Sequence, residues 1–537
     1  MRLPLDVLRL YEQHDYTLAD AFATRMAVAS DRPFILFKGE TWSWAEFDRG
    51  VRTLARTLAD ANVRSGDRVA IMAPNHIGHV LLLFALARLG AIMVPLNPDL
   101  QLEETRYAIS KSEPCVVVTS NETISVISKA CEAAEIRPWL LSLDAIAANG
   151  IGIFSKQPSD FSAPSEAPSL GKPDDVCIII YTSGTTGFPK GVMHTQRNFL
   201  LAGEGFVSRV RLQETDRVMI VLPLFHLNGF LYSISGMLVA GGSALIVPKF
   251  SASTFWRTAA EGGATEVNIT DSIGSILLAR PRSEFAPEHK IRATYGLWGN
   301  GVVPFQTEFG VPEFYTGFGM SEMPGVTCNP PDHLPTVSSM GKLAKHPDPA
   351  QPWAECRIVD DNGMDVATNT VGELIVKSPV AMKGYFRDEA ATAQAFRDGW
   401  FYTGDYVRRD EKGYFYYVSR KKDIIRRRGE NIAGAELDRV IAMHPGVAEV
   451  AAIAVPSELG EDEIMAVVVP AEGAQLSAQE IARWCGDRLA PHKVPRFVVF
   501  ARSLPKTPTF KVSKEKLRQD QALRQSATDL SMNSQSK

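Results

Sequence analysis

The residues Tyr181-Thr182-Ser183-Gly184-Thr185-Thr186-Gly187-Phe188-Pro189-Lys190-Gly191 gather hydroxyls, glycines and one lysine in a short span. That is what a polyphosphate requires. Glycines let backbone N–H groups approach an anion closely, and lysine supplies a compact positive charge. The stretch is not a Walker A loop, in which four residues precede Gly-Lys and Ser or Thr follows. Here two residues separate Gly184 from Gly187, Pro189 precedes Lys190, and Gly191 follows it.

Such a loop must be held by regular elements. The apolar run 177–180 reads as a short buried strand before it. After Val192-Met193-His194-Thr195, residues 196–201 read as a helix with Thr195 as N-cap. The loop is therefore expected to join a strand to a helix. Upstream, Ser43-Trp44-Ala45-Glu46 is a capping box, and Phe47, Val51, Leu54 and Leu58 recur at helical spacing. Residues 68–72 read as a strand. The segment 79–95 contains Arg88 and Gly90, so it reads as a buried helix (80–89) and a strand (91–94), not a membrane span. Alternation of this kind predicts a mixed α/β sheet covered on both faces.

The chain has 537 residues, too many for one core, so two or more units are expected. Its 22% charged and 45% hydrophobic residues are ordinary for a globular protein. A net charge of −4 argues against a nucleic-acid partner. Six scattered cysteines with no CxxC pair point to neither a disulfide framework nor a zinc site, and fit a reducing, cytoplasmic compartment. No basic start followed by an apolar core suggests a secretory signal. Residues 155–173, rich in Ser, Pro, Ala and Gly, read as a surface connection. The charged stretch 419–432 separates two globular regions. Beyond it, helices are expected at 435–443 and 477–489, and strands at 447–455, 464–469 and 496–500. The expected fold class is α/β: a large multi-sheet N-terminal domain (1–420), a smaller α+β C-terminal domain (421–518) on a hinge, and a polar, disordered tail (519–537).

The order of residues 181–191 resembles the signature of the adenylate-forming superfamily, which includes acyl-CoA synthetases, peptide-synthetase adenylation domains and luciferases. Five further stretches match in the superfamily's order, reaching almost to the end of the chain. Pro223-Leu224-Phe225-His226-Leu227-Asn228-Gly229 resembles the motif whose histidine lies beside the bound carboxylate, with Gly229 expected to leave space for a ligand. Phe318-Gly319-Met320-Ser321-Glu322 resembles Tyr-Gly-x-Thr-Glu. The resemblance makes Glu322 the magnesium ligand, Ser321 a phosphate contact, and Phe318, Gly319 and Met320 part of the adenine site. Gly299-Asn300-Gly301 sits where the family places another adenine-contacting turn. Gly372-Glu373-Leu374 and Gly384-Tyr385 match structural motifs. Within Tyr402-Thr403-Gly404-Asp405, Asp405 is the implied ribose ligand, since a carboxylate can accept from both ribose hydroxyls. Arg420 is its implied partner on ribose or phosphate, and Lys422 falls on the hinge position. In Leu504-Pro505-Lys506-Thr507-Pro508-Thr509-Phe510-Lys511, Lys511 matches the lysine that catalyses adenylation, although Phe510 replaces the usual glycine. His492-Lys493-Val494-Pro495 matches a structural part of the C-terminal pattern.

The implied activity is an ATP-dependent carboxylate–CoA ligase using ATP, Mg²⁺ and coenzyme A. It would pass through an acyl-adenylate, with Lys190, His226, Glu322 and Lys511 as catalytic residues. Thr182, Ser183, Gly184, Thr185, Thr186 and Gly187 would share the nucleotide with Lys190. The chain stops soon after the last motif, so a free thiol is the expected acceptor. Loading of a separate carrier protein's pantetheine and a non-catalytic nucleotide-binding relative remain as alternatives. The chain looks most like crotonobetaine/carnitine-type CoA ligases and related fatty- or aryl-acid groups, with a small-molecule carboxylic acid as partner and a monomer or homodimer as the assembly. Asp271 would suit a cationic acid, or would cap the helix 272–278; the cap is preferred, because Asp caps helices well.

Overall fold

The computed structural model describes residues 1–143, 170–182, 189–331, 333–336, 338–427, 430–456, 462–507 and 512–531. By contact, the chain divides into a first unit, Met1–Cys356 with Val376–Phe401, and a second, Arg357–Ile375 with Tyr402–Lys537. The class is mixed α/β, with the large unit first and the smaller one after it.

Two seven-stranded sheets are described in the first unit. One runs Glu313–Tyr315, Ala293–Tyr295, Glu266–Asn268, Arg217–Ile220, Ser243–Ile246, Pro33–Phe37 and Glu40–Ser43, parallel except for the last pair. The other runs Gly384–Tyr385, Lys190–Thr195, Val176–Thr182, Ile92–Leu96, Arg68–Met72, Val116–Thr119 and Trp139–Ser142. Its first two pairings are antiparallel and the rest parallel. The parallel strands are apolar on both faces, as burial by helices requires. Helix Ile77–Leu89 is buried at every position except Arg88, so it lies inside the core rather than on it. It begins three residues earlier than its apolar run suggested, because the His76 ring accepts from the Gly78 N–H and acts as its cap. The Ser43/Glu46 capping box is present on helix Trp44–Asp60. Among the described residues, no helix is long and apolar enough to cross a membrane, and none of the six cysteines is in a disulfide.

The frame of the glycine-rich loop differs from the expectation. It joins two antiparallel strands, with Thr182 opposite Lys190 and Tyr181 opposite Gly191. Residues 190–195 lack an apolar run because Gly191 and His194 interrupt it, and pairing on both sides makes them a strand. The helix then starts after Thr195, whose side chain accepts from the Asn198 N–H, and continues to Val210. Gly203 and Gly205 hid its length. They stand where a Cβ would strike Ser235 and Trp353, so close packing selects glycine.

In the second unit, residues 405–409 pair antiparallel with Phe415–Arg420, placing Asp405 opposite Arg420. The stretch 419–432, expected as a charged link, folds into a 3₁₀ turn, Lys421–Asp423, and a hairpin, Ile424–Arg427 with Glu430–Ala433. The proposed cut at 420/421 is the step from that strand into the turn. Val447–Pro456, Asp462–Pro470, Phe497–Phe500 and Thr528–Asp529 form a four-stranded sheet. Helices Gly434–Ala442 and Ala478–Gly486 pack on it through Ile441, Ile481 and Cys485. Residues 519–531, expected to be disordered, are structured. Asp520 caps helix Gln521–Gln525, Asp529 pairs with Arg496 at 2.8 Å, and Leu523, Ala527 and Leu530 reach the unit's core. Those three apolar residues are spread through a polar segment and gave no period to read.

Candidate functional site

In the first unit, the strand pair Val176–Thr182 and Lys190–Thr195 delivers Lys190 to the base of the loop. Thr182 is cross-strand from it, with its hydroxyl 3.5 Å from the Lys190 carbonyl. Ser183, Gly184, Thr185, Thr186 and Gly187 lie outside the described residues. The Lys190 ammonium stands 4.9 Å from the centre of the Tyr385 ring. On the other side of that tyrosine, its hydroxyl donates to Glu322 Oε1 at 2.9 Å. Glu322 and Tyr385 are each 8% exposed. A cation and an anion drawn from distant parts of the sequence thus meet on one buried ring.

Glu322 sits at the tip of a tight turn. Met320 and Met323 exchange backbone hydrogen bonds of 3.0 and 3.1 Å around Ser321 and Glu322. Two contacts fix this turn to the lysine strand and its neighbour. His194 donates through Nε2 to the Ser321 carbonyl at 2.7 Å. Burial lowers the His194 pKa to about 4, so the ring is neutral at pH 7. The Met382 N–H donates to the Glu322 carbonyl at 2.8 Å. Phe318 is half-buried, tied to Thr327 by its N–H. Gly319 allows a close approach: a Cβ there would lie 2.6 Å from the Tyr232 hydroxyl and 2.7 Å from the Gly325 nitrogen.

His226 is half-buried, its ring 4.6 Å from that of Phe225. It stands two residues before a π-helical segment, Asn228–Ile234, a local geometry that recurs at functional sites. Asn268 holds this segment by donating to Asn228 Oδ1 and Ser233 Oγ, both at 2.9 Å. Gly229 does not leave the expected space. A Cβ there would meet Leu224 at 3.0 Å, so the glycine serves packing within its own loop. Asp271 is not a cap. Thr270 caps helix Asp271–Ala279, and Asp271 instead accepts from the Trp298 N–H at 2.9 Å. That contact fixes the start of the 3₁₀ turn Gly299–Gly301, where Gly299 takes φ +63°. The Asn300 side chain lies outside the described residues.

In the second unit, Arg420 Nε is 2.8 Å from Asp405 Oδ1, and Asp405 is 1% exposed. Around them, the Thr403 hydroxyl donates to the Leu374 carbonyl, and Glu373 accepts from the Gly404 N–H. Lys421 bridges Glu373 and Asp361 at 3.0 Å each. Burial alone would lower its pKa, but the Asp361 and Glu373 carboxylates outweigh this and raise it. Asp405 and Arg420 are thus brought together, with Lys421 and Glu373 bracing the turn between them. The Lys422 side chain, Phe510 and Lys511 lie outside the described residues.

Sequence reasoning undervalued Tyr385 and Glu373 as structural, and passed over His194 and Lys421. An aromatic at 385 signals little by itself; only the pairing of Gly384–Tyr385 with the lysine strand places it. As for a metal, the described residues hold no group of three or more His, Cys, Asp and Glu able to bind one. A single buried carboxylate, hydrogen-bonded on one oxygen, fits Mg²⁺, which takes one or two carboxylates beside phosphate oxygens and water.

Known proteins resemble this chain along most of its length. The profile of the AMP-binding enzymes matches residues 22–386, and that of the AMP-binding enzyme C-terminal domain matches residues 436–511. A sulfoacetate–CoA ligase of Cupriavidus necator is 32% identical, over 93% of this chain and 97% of its own. A crotonobetaine/carnitine–CoA ligase of Escherichia coli is 30% identical, over 89% and 93% respectively. The crystal structure of ATP-bound MatB from Rhodopseudomonas palustris superposes with a TM-score of 0.83 at 27% identity, covering 94% of this chain and 98% of that one.

Proposed function

Since the chain belongs to the AMP-binding enzyme family, we propose that it is an AMP-forming acid–CoA ligase that activates a carboxylic acid as its acyl-adenylate. The observation that carries this reading is the meeting of Lys190 and Glu322 on Tyr385, directly at the base of the glycine-threonine loop.

The chemistry sets the demands. A carboxylic acid with a pKa near 4.3 is already ionised at pH 7, so its oxygen needs no general base to attack the α-phosphorus of ATP. The barrier is electrostatic: two anions meet while pyrophosphate leaves. Lys190 answers with positive charge, and the hydroxyls and N–H groups of residues 182–187 answer with donors. Glu322 would hold Mg²⁺, which supplies further charge neutralisation on the phosphates. Phe318, Gly319, Met320 and the turn Gly299–Gly301 take the adenine, and Ser321 a phosphate. Asp405, kept in place by Arg420, accepts from the ribose hydroxyls. His226 lies beside the reacting carboxylate, and Lys511 assists adenylation. In the second step the coenzyme A sulfur attacks the acyl carbon. The bond from that carbon to the AMP oxygen breaks, giving a thioester and AMP. A thiol suits this step, since its pKa near 8.5 leaves a usable thiolate fraction.

The test is pyrophosphate release from ATP across a panel of short polar, fatty, aryl and betaine acids. Each acid is run with free coenzyme A and with a pantetheine-bearing carrier protein. Pyrophosphate and AMP in equal amounts, with an acyl-CoA product, are expected for at least one acid. ATP binding with no pyrophosphate from any acid would contradict the reading, and thioester on the carrier alone would replace the acceptor.

A further inference from the structure

We propose that Tyr385 is a positioning residue for the nucleotide site, setting both the metal-facing carboxylate of Glu322 and the ammonium of Lys190. The proposal rests on the acid–CoA ligase reading above.

The placement is built from the backbone up. Segment 382–386 is stitched on both sides. Lys383 and Phe386 donate their N–H groups to the carbonyls of Met193 and Gly191, at 2.9 and 2.7 Å, on the lysine strand. Met382 donates to the Glu322 carbonyl at 2.8 Å. Gly384 adopts φ +145°, where a Cβ would press on Thr392. The Thr392 hydroxyl in turn accepts from the Tyr385 N–H at 2.9 Å. The tyrosine ring therefore has little freedom, and it faces two groups of opposite charge. Its hydroxyl fixes Glu322 Oε1 at 2.9 Å, and its π face lies under the Lys190 ammonium at 4.9 Å.

The two contacts do separate things. A carboxylate offers about four lone-pair sites, so one phenol donor orients it and leaves capacity for a cation. Hydrogen bonds of this kind to a metal-binding carboxylate commonly govern metal affinity. The ring quadrupole attracts the ammonium and keeps Lys190 from closing directly on Glu322. Without the ring, the lysine and glutamate could pair with each other and neutralise the charges that the phosphates and Mg²⁺ require.

The experiment measures ATP binding by calorimetry, with Mg²⁺ and with EDTA, alongside pyrophosphate release. Proteins compared are wild type, Tyr385→Phe, Tyr385→Leu, Glu322→Gln and the Tyr385→Phe/Glu322→Gln double variant. Tyr385→Phe keeps the ring and loses the hydroxyl. It should weaken ATP binding about tenfold in Mg²⁺ and leave EDTA binding unchanged, which also shows that the variant is folded. Tyr385→Leu should lose a further factor of about 2 to 5 in both conditions. In the Glu322→Gln background, Tyr385→Phe should add nothing. Wild-type Mg²⁺ dependence in Tyr385→Phe, with Glu322→Gln impaired, would overturn the role of Tyr385 and leave the ligase reading standing. Wild-type Mg²⁺ dependence in Glu322→Gln itself would overturn the metal assignment and this proposal together.

Discussion

At the scale of single residues, opposite charges are held in two ways. Lys190 and Glu322 both contact Tyr385 in the first unit, one at the ring and the other at the hydroxyl, whereas Asp405 and Arg420 touch directly in the second. The direct pair has a consequence. Asp405 is almost wholly buried, so its carboxylate depends on Arg420 for compensation and is fixed in orientation by it. Asp405→Asn keeps the volume and removes the charge. It should raise the KM for ATP on the order of tenfold, the worth of one charge-assisted hydrogen bond. The KM values for the acid and coenzyme A should change little. Steady-state kinetics varying each substrate in turn would check this; an equal rise for all three would point to general damage instead of a lost ribose contact.

At the scale of elements, the loops that carry the site are short, and helices and strands buried on both sides hold them. Helix Ile77–Leu89 illustrates the cost of that burial. His79 is fully buried, and burial, assisted by His76, lowers its pKa to about 3. The unfolded chain binds a proton near pH 6.5 and the folded chain does not until far lower. The stability this gives is therefore complete above pH 6.5 and is lost as the pH falls towards 3. Between pH 7 and pH 5, His79→Leu should lose about 2 kcal/mol less stability than wild type. Denaturant unfolding of both proteins at the two pH values would measure it, and parallel losses would refute it. Periodicity revealed such elements well: the capped helix Trp44–Asp60, the strand Arg68–Met72 and three of the four strands in the second unit's last sheet were legible, whereas the fourth, Thr528–Asp529, lay in the segment expected to be disordered. Elements made by their neighbours were not. The lysine strand has no alternation of its own, helix Gln196–Val210 hides behind two packing glycines, and Asp271 serves Trp298 while Thr270 caps. The motif residues could be named from their order in the chain. Tyr385 could not be given a role that way, because its partners are remote in sequence and are brought to it by strand pairing and by the Met382–Glu322 backbone hydrogen bond.

At the scale of the whole molecule, the two proposed half-reactions make different demands, and the proposed hinge at Lys422, which lies within the second unit, would let the part of the chain beyond it serve them in turn. Lys422 lies within the 3₁₀ turn Lys421–Asp423, whose start Lys421 braces through Glu373 and Asp361. Lys422→Pro fixes φ there. It should slow thioester formation from preformed acyl-adenylate while leaving adenylation within a factor of about two. Single-turnover assays of each step would separate them, and equal loss in both would argue against a hinge. The central claim, that the acid attacks ATP at the α-phosphorus and leaves as an adenylate, can be tested by isotope. An acid found active in the panel is labelled with oxygen-18 in both carboxylate positions and turned over with ATP and coenzyme A. Mass spectrometry should find one labelled oxygen in AMP, one in the thioester carbonyl and none in pyrophosphate. Label in phosphate or pyrophosphate, with ADP formed in place of AMP, would contradict it.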